Sequence, residues 1–197
     1  MQKYTIESFV RDSLDMNSPD LFNWDMVFVS SILKKEYKSD GSEKEVINGY
    51  ANAVNCIANE IKIQNHSDAG VLIVRSNSLV IPFIFLCRHT VELILKYLRK
   101  QLSLQNPNKH SLRYLWGDIE KAIIESKPSE KEAVENISEY IYALEKLDPD
   151  GSHARYPKSM KGEIYHEKPK FIRVMEINAV LQKVLLPLIE LFSLQGN

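Results

Sequence analysis

One stretch of the chain, residues 79–104, constrains the fold more than any other. It reads LVIPFIFLCRHTVELILKYLRKQLSL, apolar on every side in its first turns and charged on one face further along. At helical spacing the apolar positions form one broad stripe: Ile84, Cys87, Val91, Ile94, Leu95 and Leu98. A helix that is apolar all round is buried in a domain core. The pattern therefore predicts a central helix, with Arg88 and His89 near the middle of the core.

The composition is that of a globular protein. With 44% hydrophobic and 26% charged residues, the chain is not expected to be disordered, and its seven glycines suit long helices. A length of 197 residues fits one domain, or one domain with an appended segment. The 25 basic and 26 acidic residues nearly cancel, so no overall positive field favours tight nonspecific nucleic-acid binding, although a local basic patch is compatible with this balance.

The cysteines and the N-terminus indicate a compartment. Cys56 and Cys87 lie in predicted helices among apolar neighbours, which favours reduced core residues and a cytoplasmic location. The N-terminal residues lack a basic segment followed by an apolar run, and the uncharged run at 79–87 is shorter than a membrane span. We expect neither secretion nor membrane insertion.

Several start and stop signals predict further helices. Residues 4–15 have an amphipathic pattern, Ser18-Pro19-Asp20 starts a helix to about Lys38, and Ser42-Glu43-Lys44-Glu45 forms a capping box for a helix ending near Asn65. Beyond the central helix, one helix carries His110 and ends at Pro128, another follows a second capping box at 129–132, and the last spans 171–194 with a kink at Pro187. We expect an all-α fold, an antiparallel bundle of four to six helices, with 1–41 as an N-terminal helical addition and 42–197 as the bundle domain.

The segment between the last two helices, 148–170, has no helical pattern and is predicted to be a long loop or a short hairpin near Gly162. It contains the following candidate residues: Asp148, His153, Arg155, Tyr156 and His166. Between positions 153 and 170 the segment contains five lysines and arginines but only two acidic residues, both of them glutamates. Such a patch can hold RNA phosphates, with an arginine clamping an oxyanion and a histidine transferring protons. The alternative is a solvated loop without a specific role.

A second group of candidates lies on and after the central helix. Arg88 and Glu92 are four residues apart on one face, next to His89, and His110 lies near a predicted helix N-terminus, where free backbone amides favour anions. The simpler interpretation is a structural Arg88–Glu92 ion pair inside the core. The alternative is a cleft in which Arg88 or His89 contacts phosphate.

No metal or cofactor is expected. His89 and Glu92 have helical ligand spacing, as do Glu163 and His166, but a di-iron bundle requires further glutamates on other helices, and no Cys/His cluster suggests zinc. Neither a glycine-rich phosphate loop nor a serine-nucleophile motif occurs.

Three segments together resemble a prokaryotic branch of the HEPN superfamily. They are RHTVELILK at 88–96, HSLRYLW at 110–116, and Asp148 followed by Arg155-Tyr156-Pro157. The resemblance covers about residues 43–192. It implies an all-α bundle, often a homodimer, found in toxin-antitoxin, phage-defence and RNA-processing systems.

Active HEPN members are metal-independent endoribonucleases, in which an arginine holds the scissile phosphate and a histidine a few residues later assists attack by the 2′-hydroxyl. In this chain no arginine is followed by a histidine after four to six residues; ten residues separate Arg155 from His166. The catalytic spacing is therefore not carried over to any pair.

Three functions are compatible with the sequence. The first is a module that binds RNA, a nucleotide or a partner protein through residues drawn from Arg88, His89, Glu92, His110, Asp148, Arg155 and Tyr156, and the missing motif favours it. The second is a ribonuclease with a rearranged site that uses Arg155 with His153 or His166. The third is a structural, dimerising bundle.

Overall fold

The computed structural model describes residues 10–11, 40–65, 77–105, 107–149, 151–156, 158, 161–162 and 171–193. These residues form an all-α bundle with one short antiparallel strand pair. The helices are α1 (Asp40–Asn65), α2 (Asn77–Gln101), α3 (Leu112–Ser126), α4 (Lys131–Leu147), α5 (Val174–Val180) and α6 (Leu186–Ser193). The strands are β1 (Val10–Arg11) and β2 (Phe171–Ile172).

Helix α2 is the central helix, as the sequence predicts. It packs against α1, α3, α4 and α6. All six positions of the predicted apolar stripe are buried, and so is Arg88, with only 3% of its surface exposed. A charged side chain this deep requires partners inside the protein, because an unpaired buried charge is very costly.

Neighbouring helices run antiparallel. Lys100 at the end of α2 reaches Glu43 at the start of α1 (3.3 Å). Glu145 near the end of α4 accepts hydrogen bonds from Ser111 Oγ and the Leu112 backbone N–H at the start of α3, both at 2.7 Å, and thereby caps that helix. The buried faces of α3 and α4 close the core around Trp116.

Some sequence predictions are wrong at particular residues. Val10 and Arg11 form β1, so the predicted helix over 4–15 is wrong at these two residues. They pair with β2, and the last helix therefore begins at Val174 rather than at 171. Helix α1 begins at Asp40, before the predicted cap, and α4 has no side-chain cap because Pro128–Glu130 form a 3-10 turn. His110 precedes α3, whose N-cap is Ser111. The predicted helix over 19–38 lies outside the described residues.

The two cysteines differ. Cys87 is buried as predicted, with its Sγ 3.3 Å from Tyr140 Oη, and burial raises the pKa of its thiol to about 12, which keeps it protonated and unreactive. Cys56 is exposed, so its prediction as a core residue is wrong. The apolar neighbours of Cys56 in the sequence lie on a different face of α1.

The last helix is continuous but irregular. A π-helical segment, Leu181–Leu185, joins α5 to α6 immediately before Pro187. Proline has no N–H and its ring crowds the carbonyl four residues earlier, which explains a wider turn at this place. Gln182 in this segment donates to the Ala51 carbonyl of α1 (2.8 Å).

One helix of the described chain, Ser78–Gln101, is long and apolar enough to cross a membrane by length and composition. Half of its most apolar window is buried inside the bundle. This burial is the ordinary environment of a core helix.

Candidate functional site

Arg88 connects three separate parts of the chain. Its Nη1 donates to Glu92 Oε2 one turn along α2 (3.1 Å), its Nε to the Asp148 carbonyl after α4 (2.7 Å), and its Nη2 to the His110 carbonyl before α3 (2.6 Å). The predicted ion pair with Glu92 is confirmed. Because all three guanidinium nitrogens donate to protein acceptors, Arg88 holds the site together from inside.

Glu92 connects the buried Arg88 to side chains at the protein surface. Its Oε1 accepts a hydrogen bond from Lys96 Nζ (2.8 Å) and lies 2.8 Å from His110 Nδ1. Burial alone would raise the pKa of Glu92, but the hydrogen bonds and charges of Lys96 and His110 outweigh it and lower the pKa below its usual value. Glu92 is therefore ionised at neutral pH, while the His110 side chain remains 65% exposed.

Asp148 shapes the loop that follows α4. It is completely buried; its Oδ1 accepts from the His153 backbone N–H (2.9 Å), and its carbonyl accepts from the Gly151 N–H (3.4 Å) as well as from Arg88. Its Oδ2 lies 4.0 Å from Arg88 Nε and has no hydrogen-bond partner in the part of the chain that the structure describes. Asp148 thus acts on the site by fixing the loop from within.

Gly151 lies where two arginines meet. It has φ +76°, and a Cβ at this position would lie 3.2 Å from Nη1 of Arg88 and 3.3 Å from Nη2 of Arg155. Both the left-handed backbone and this crowding favour glycine. The two guanidinium groups are therefore packed close together over one residue without a side chain.

Arg155 is the exposed member of this pair. Its Nε donates to the Gly151 carbonyl, and its guanidinium carbon lies 5.9 Å from the ring centroid of Phe85 and 6.0 Å from that of Tyr156. Among the described residues, neither Nη1 nor Nη2 of Arg155 has a hydrogen-bond acceptor. Arg155 differs in this respect from Arg88, whose three guanidinium nitrogens all donate to protein acceptors.

His89 borders the same surface. Its ring lies edge-on to Tyr50 (4.8 Å between centroids) and stacks on Phe85 (5.9 Å). Burial lowers the pKa of His89, and the positive charges of Lys96, Arg88 and Arg155 lower it further against the opposing effect of Glu92. The ring is neutral at pH 7, and its nitrogens have no hydrogen-bond partner among the described residues.

The sequence-selected candidates, together with Lys96, thus fall into two groups. The arginine cluster is the buried part and comprises Arg88, Glu92 and Asp148 with the His110 carbonyl. The outer rim is the accessible part and comprises His89, Lys96, the His110 ring, Arg155 and Tyr156. His153 contributes its backbone N–H to the loop. His166 lies outside the described residues.

Sequence reasoning missed four contributors: Tyr50, Phe85, Lys96 and Gly151. Two of them had signals. Lys96 follows Glu92 by four residues, the spacing of a helical ion pair, and Gly151 ends the turn-like sequence Asp148-Pro149-Asp150-Gly151. In the described part of the chain, no group of three or more His, Cys, Asp or Glu residues is placed to hold a metal ion.

The match to a known family falls on this region. Residues 79–176, about half of the chain, match the HEPN domain family, and this range includes the whole arginine cluster and the whole outer rim. These residues form a HEPN domain, and through it the chain belongs to the HEPN superfamily. Searches of curated proteins and of solved structures found no match.

Proposed function

We propose that this protein is an RNA-binding module that holds a phosphate group at Arg155 on the outer rim. The observation that carries the proposal is the contrast between two adjacent arginines. Arg88 uses its donors inside the protein, whereas two guanidinium nitrogens of Arg155 have no acceptor among the described residues. A guanidinium with two free parallel donors matches the geometry of a phosphate.

The surrounding charges support an anionic ligand. Lys96 and the exposed His110 ring lie on the same rim, and Glu92 is the carboxylate that both of them contact. Arg88, behind Arg155, has a charge that Glu92 and Asp148 compensate within the protein. The exposed positive charge of Arg155 has no ion-pair partner among the described residues, which favours binding of a phosphate over binding of a cation.

The test is a binding titration of a fluorescent single-stranded RNA with the purified protein and with Arg155→Ala. We expect Arg155→Ala to weaken binding about tenfold and to reduce the salt dependence, because one phosphate contact is lost. Arg113→Ala is the matched control: Arg113 is also an exposed arginine over a tyrosine ring (4.3 Å from Tyr142), and its loss should have little effect.

The same titration separates the alternatives that the sequence leaves open. Equal affinity of wild type and Arg155→Ala for RNA, ATP and inorganic phosphate would refute the phosphate site. In that case the partner-binding or purely structural function would be favoured, and analytical ultracentrifugation would test the homodimer that the family resemblance implies. The biological setting that we propose, a toxin-antitoxin or phage-defence system, also rests on that resemblance.

A second candidate function, metal-independent RNA cleavage, is favoured by His89. A neutral imidazole whose nitrogens have no partner among the described residues, beside the positive charge of Arg155, has the protonation state of a base that deprotonates a 2′-hydroxyl. The test is incubation with labelled RNA in excess EDTA. Products with 2′,3′-cyclic phosphate ends that disappear in both His89→Gln and Arg155→Ala would establish cleavage. RNA that stays intact at high protein concentration would leave binding alone.

A further inference from the structure

Tyr156 is the most exposed large hydrophobic side chain in the described part of the chain, at 58%. It is nevertheless held in a defined place. The backbone N–H groups of Arg155 and Tyr156 both donate to the Ser152 carbonyl, at 3.1 and 2.9 Å, and the ring lies 6.0 Å from the Arg155 guanidinium. An exposed aromatic ring that is held by a hydrogen-bonded turn offers a fixed, flat face on which a planar group can stack.

We propose that Tyr156 is a stacking platform for an unpaired nucleobase, whose neighbouring phosphate is bound by Arg155. This inference rests on the proposed function and specifies its substrate class: single-stranded nucleic acid rather than a duplex or a free phosphate. In a duplex the faces of the bases are covered by their neighbours, so only an unpaired base can stack on a protein ring. Because every base has such a face, the site is tolerant of sequence.

The charge of the chain gives an independent reason for a stacking contact. The net charge is −1, so the chain as a whole provides no net electrostatic attraction to a phosphate backbone. Electrostatic affinity falls steeply with salt when it depends on counterion release, whereas stacking contributes without releasing counterions. A base on Tyr156 would therefore supply affinity that the rim charges do not.

The experiment compares three fluorescent probes: a single-stranded oligouridine, an abasic strand of equal length, and an RNA duplex. The proteins are wild type, Tyr156→Ala, Tyr156→Phe and Tyr114→Ala. Tyr114 is the matched control, because it is also exposed (47%) and also lies beside a cation, with Lys109 Nζ 4.0 Å from its ring centroid.

We expect Tyr156→Ala to weaken oligouridine binding by about fivefold to a hundredfold, the range of one lost stacking contact. The slope of affinity against salt should not change, since no phosphate contact is lost. Tyr156→Phe and Tyr114→Ala should bind oligouridine as wild type does. Wild type should bind the abasic strand and the duplex only weakly, with the affinity that Tyr156→Ala has for oligouridine.

The outcomes distinguish this inference from the function on which it rests. If Arg155→Ala weakens binding but Tyr156→Ala does not, or if the abasic strand binds as well as oligouridine, the phosphate site stands and the stacking platform is refuted. If neither variant changes binding, or wild type binds none of the probes, both proposals are refuted. An equal loss in Tyr114→Ala would also overturn the assignment to Tyr156.

Discussion

Arg88 and Arg155 both pack against Gly151, and the comparison between them distinguishes a buried structural arginine from an exposed one. Arg88 is 3% exposed and all its guanidinium nitrogens bond to protein oxygens. Arg155 is exposed, and among the described residues its guanidinium donates only through Nε, to the Gly151 carbonyl. A buried cation must be matched by the protein itself, whereas an exposed one can exchange water for a ligand. The inner arginine thus stabilises the fold, and the outer one is suited to binding.

The largest effect that would test this comparison is the loss of Arg88. We expect Arg88→Ala to destabilise the fold by ~3 kcal/mol, because Glu92 and the carbonyls of Asp148 and His110 lose a buried partner. Urea unfolding followed by circular dichroism measures this change. An unchanged midpoint would show that Arg88 is not structural. Arg88→Lys should recover only part of the loss, since one ammonium cannot replace the planar fork.

The next effect concerns the residue between the two arginines. Gly151→Ala should destabilise by about 1–3 kcal/mol, because alanine is strained at φ +76° and its Cβ would crowd Arg88 Nη1 at 3.2 Å. It should also weaken RNA binding by displacing Arg155. Gly49→Ala is the control: this helical glycine has no atom within 4 Å of the added Cβ, so the substitution should be neutral or stabilising. Similar unfolding midpoints for the two variants would contradict the crowding at Gly151.

Acid should weaken the inner part of the site through Glu92. The folded state lowers the pKa of Glu92 from its ordinary value of 4.5, so its stabilising contribution is fully present above pH 4.5 and is lost as pH falls through the lower folded-state value. Unfolding measured from about pH 6 to pH 3 should show a steeper loss of stability in wild type than in Glu92→Gln. Parallel curves for the two proteins would mean that Lys96 and His110 do not stabilise the Glu92 carboxylate.

The smallest stability effect belongs to Arg155. Arg155→Ala should change the free energy of unfolding by no more than about 0.5 kcal/mol, because it removes one hydrogen bond and weak aromatic contacts at the surface. Thermal unfolding of the variant that is used for RNA binding provides this measurement. A melting temperature that falls as far as that of Arg88→Ala would make Arg155 structural and remove the distinction between the two arginines.

Local sequence signals correctly predicted the bundle and its central helix. The apolar stripe of α2 and the end of α1 at Asn65 follow from periodicity and turn residues, which depend on neighbours along the chain. The same signals failed at the ends of elements. Strand β1 exists because Val10–Arg11 pair with Phe171–Ile172 far along the chain, and no local pattern specifies that pairing.

The sequence by itself therefore predicted the helices apart from their ends, and it favoured a buried Arg88 paired with Glu92, because both inferences follow from spacing on one helix. Only the tertiary structure decided that Arg155 is exposed beside the buried Arg88. Arg88 and Arg155 are distant in the chain, and their different roles arise because Asp148 and Gly151 fold the loop over one and leave the other facing solvent. Hydrogen bonds between distant segments determine that choice, and they exist only after the chain has packed.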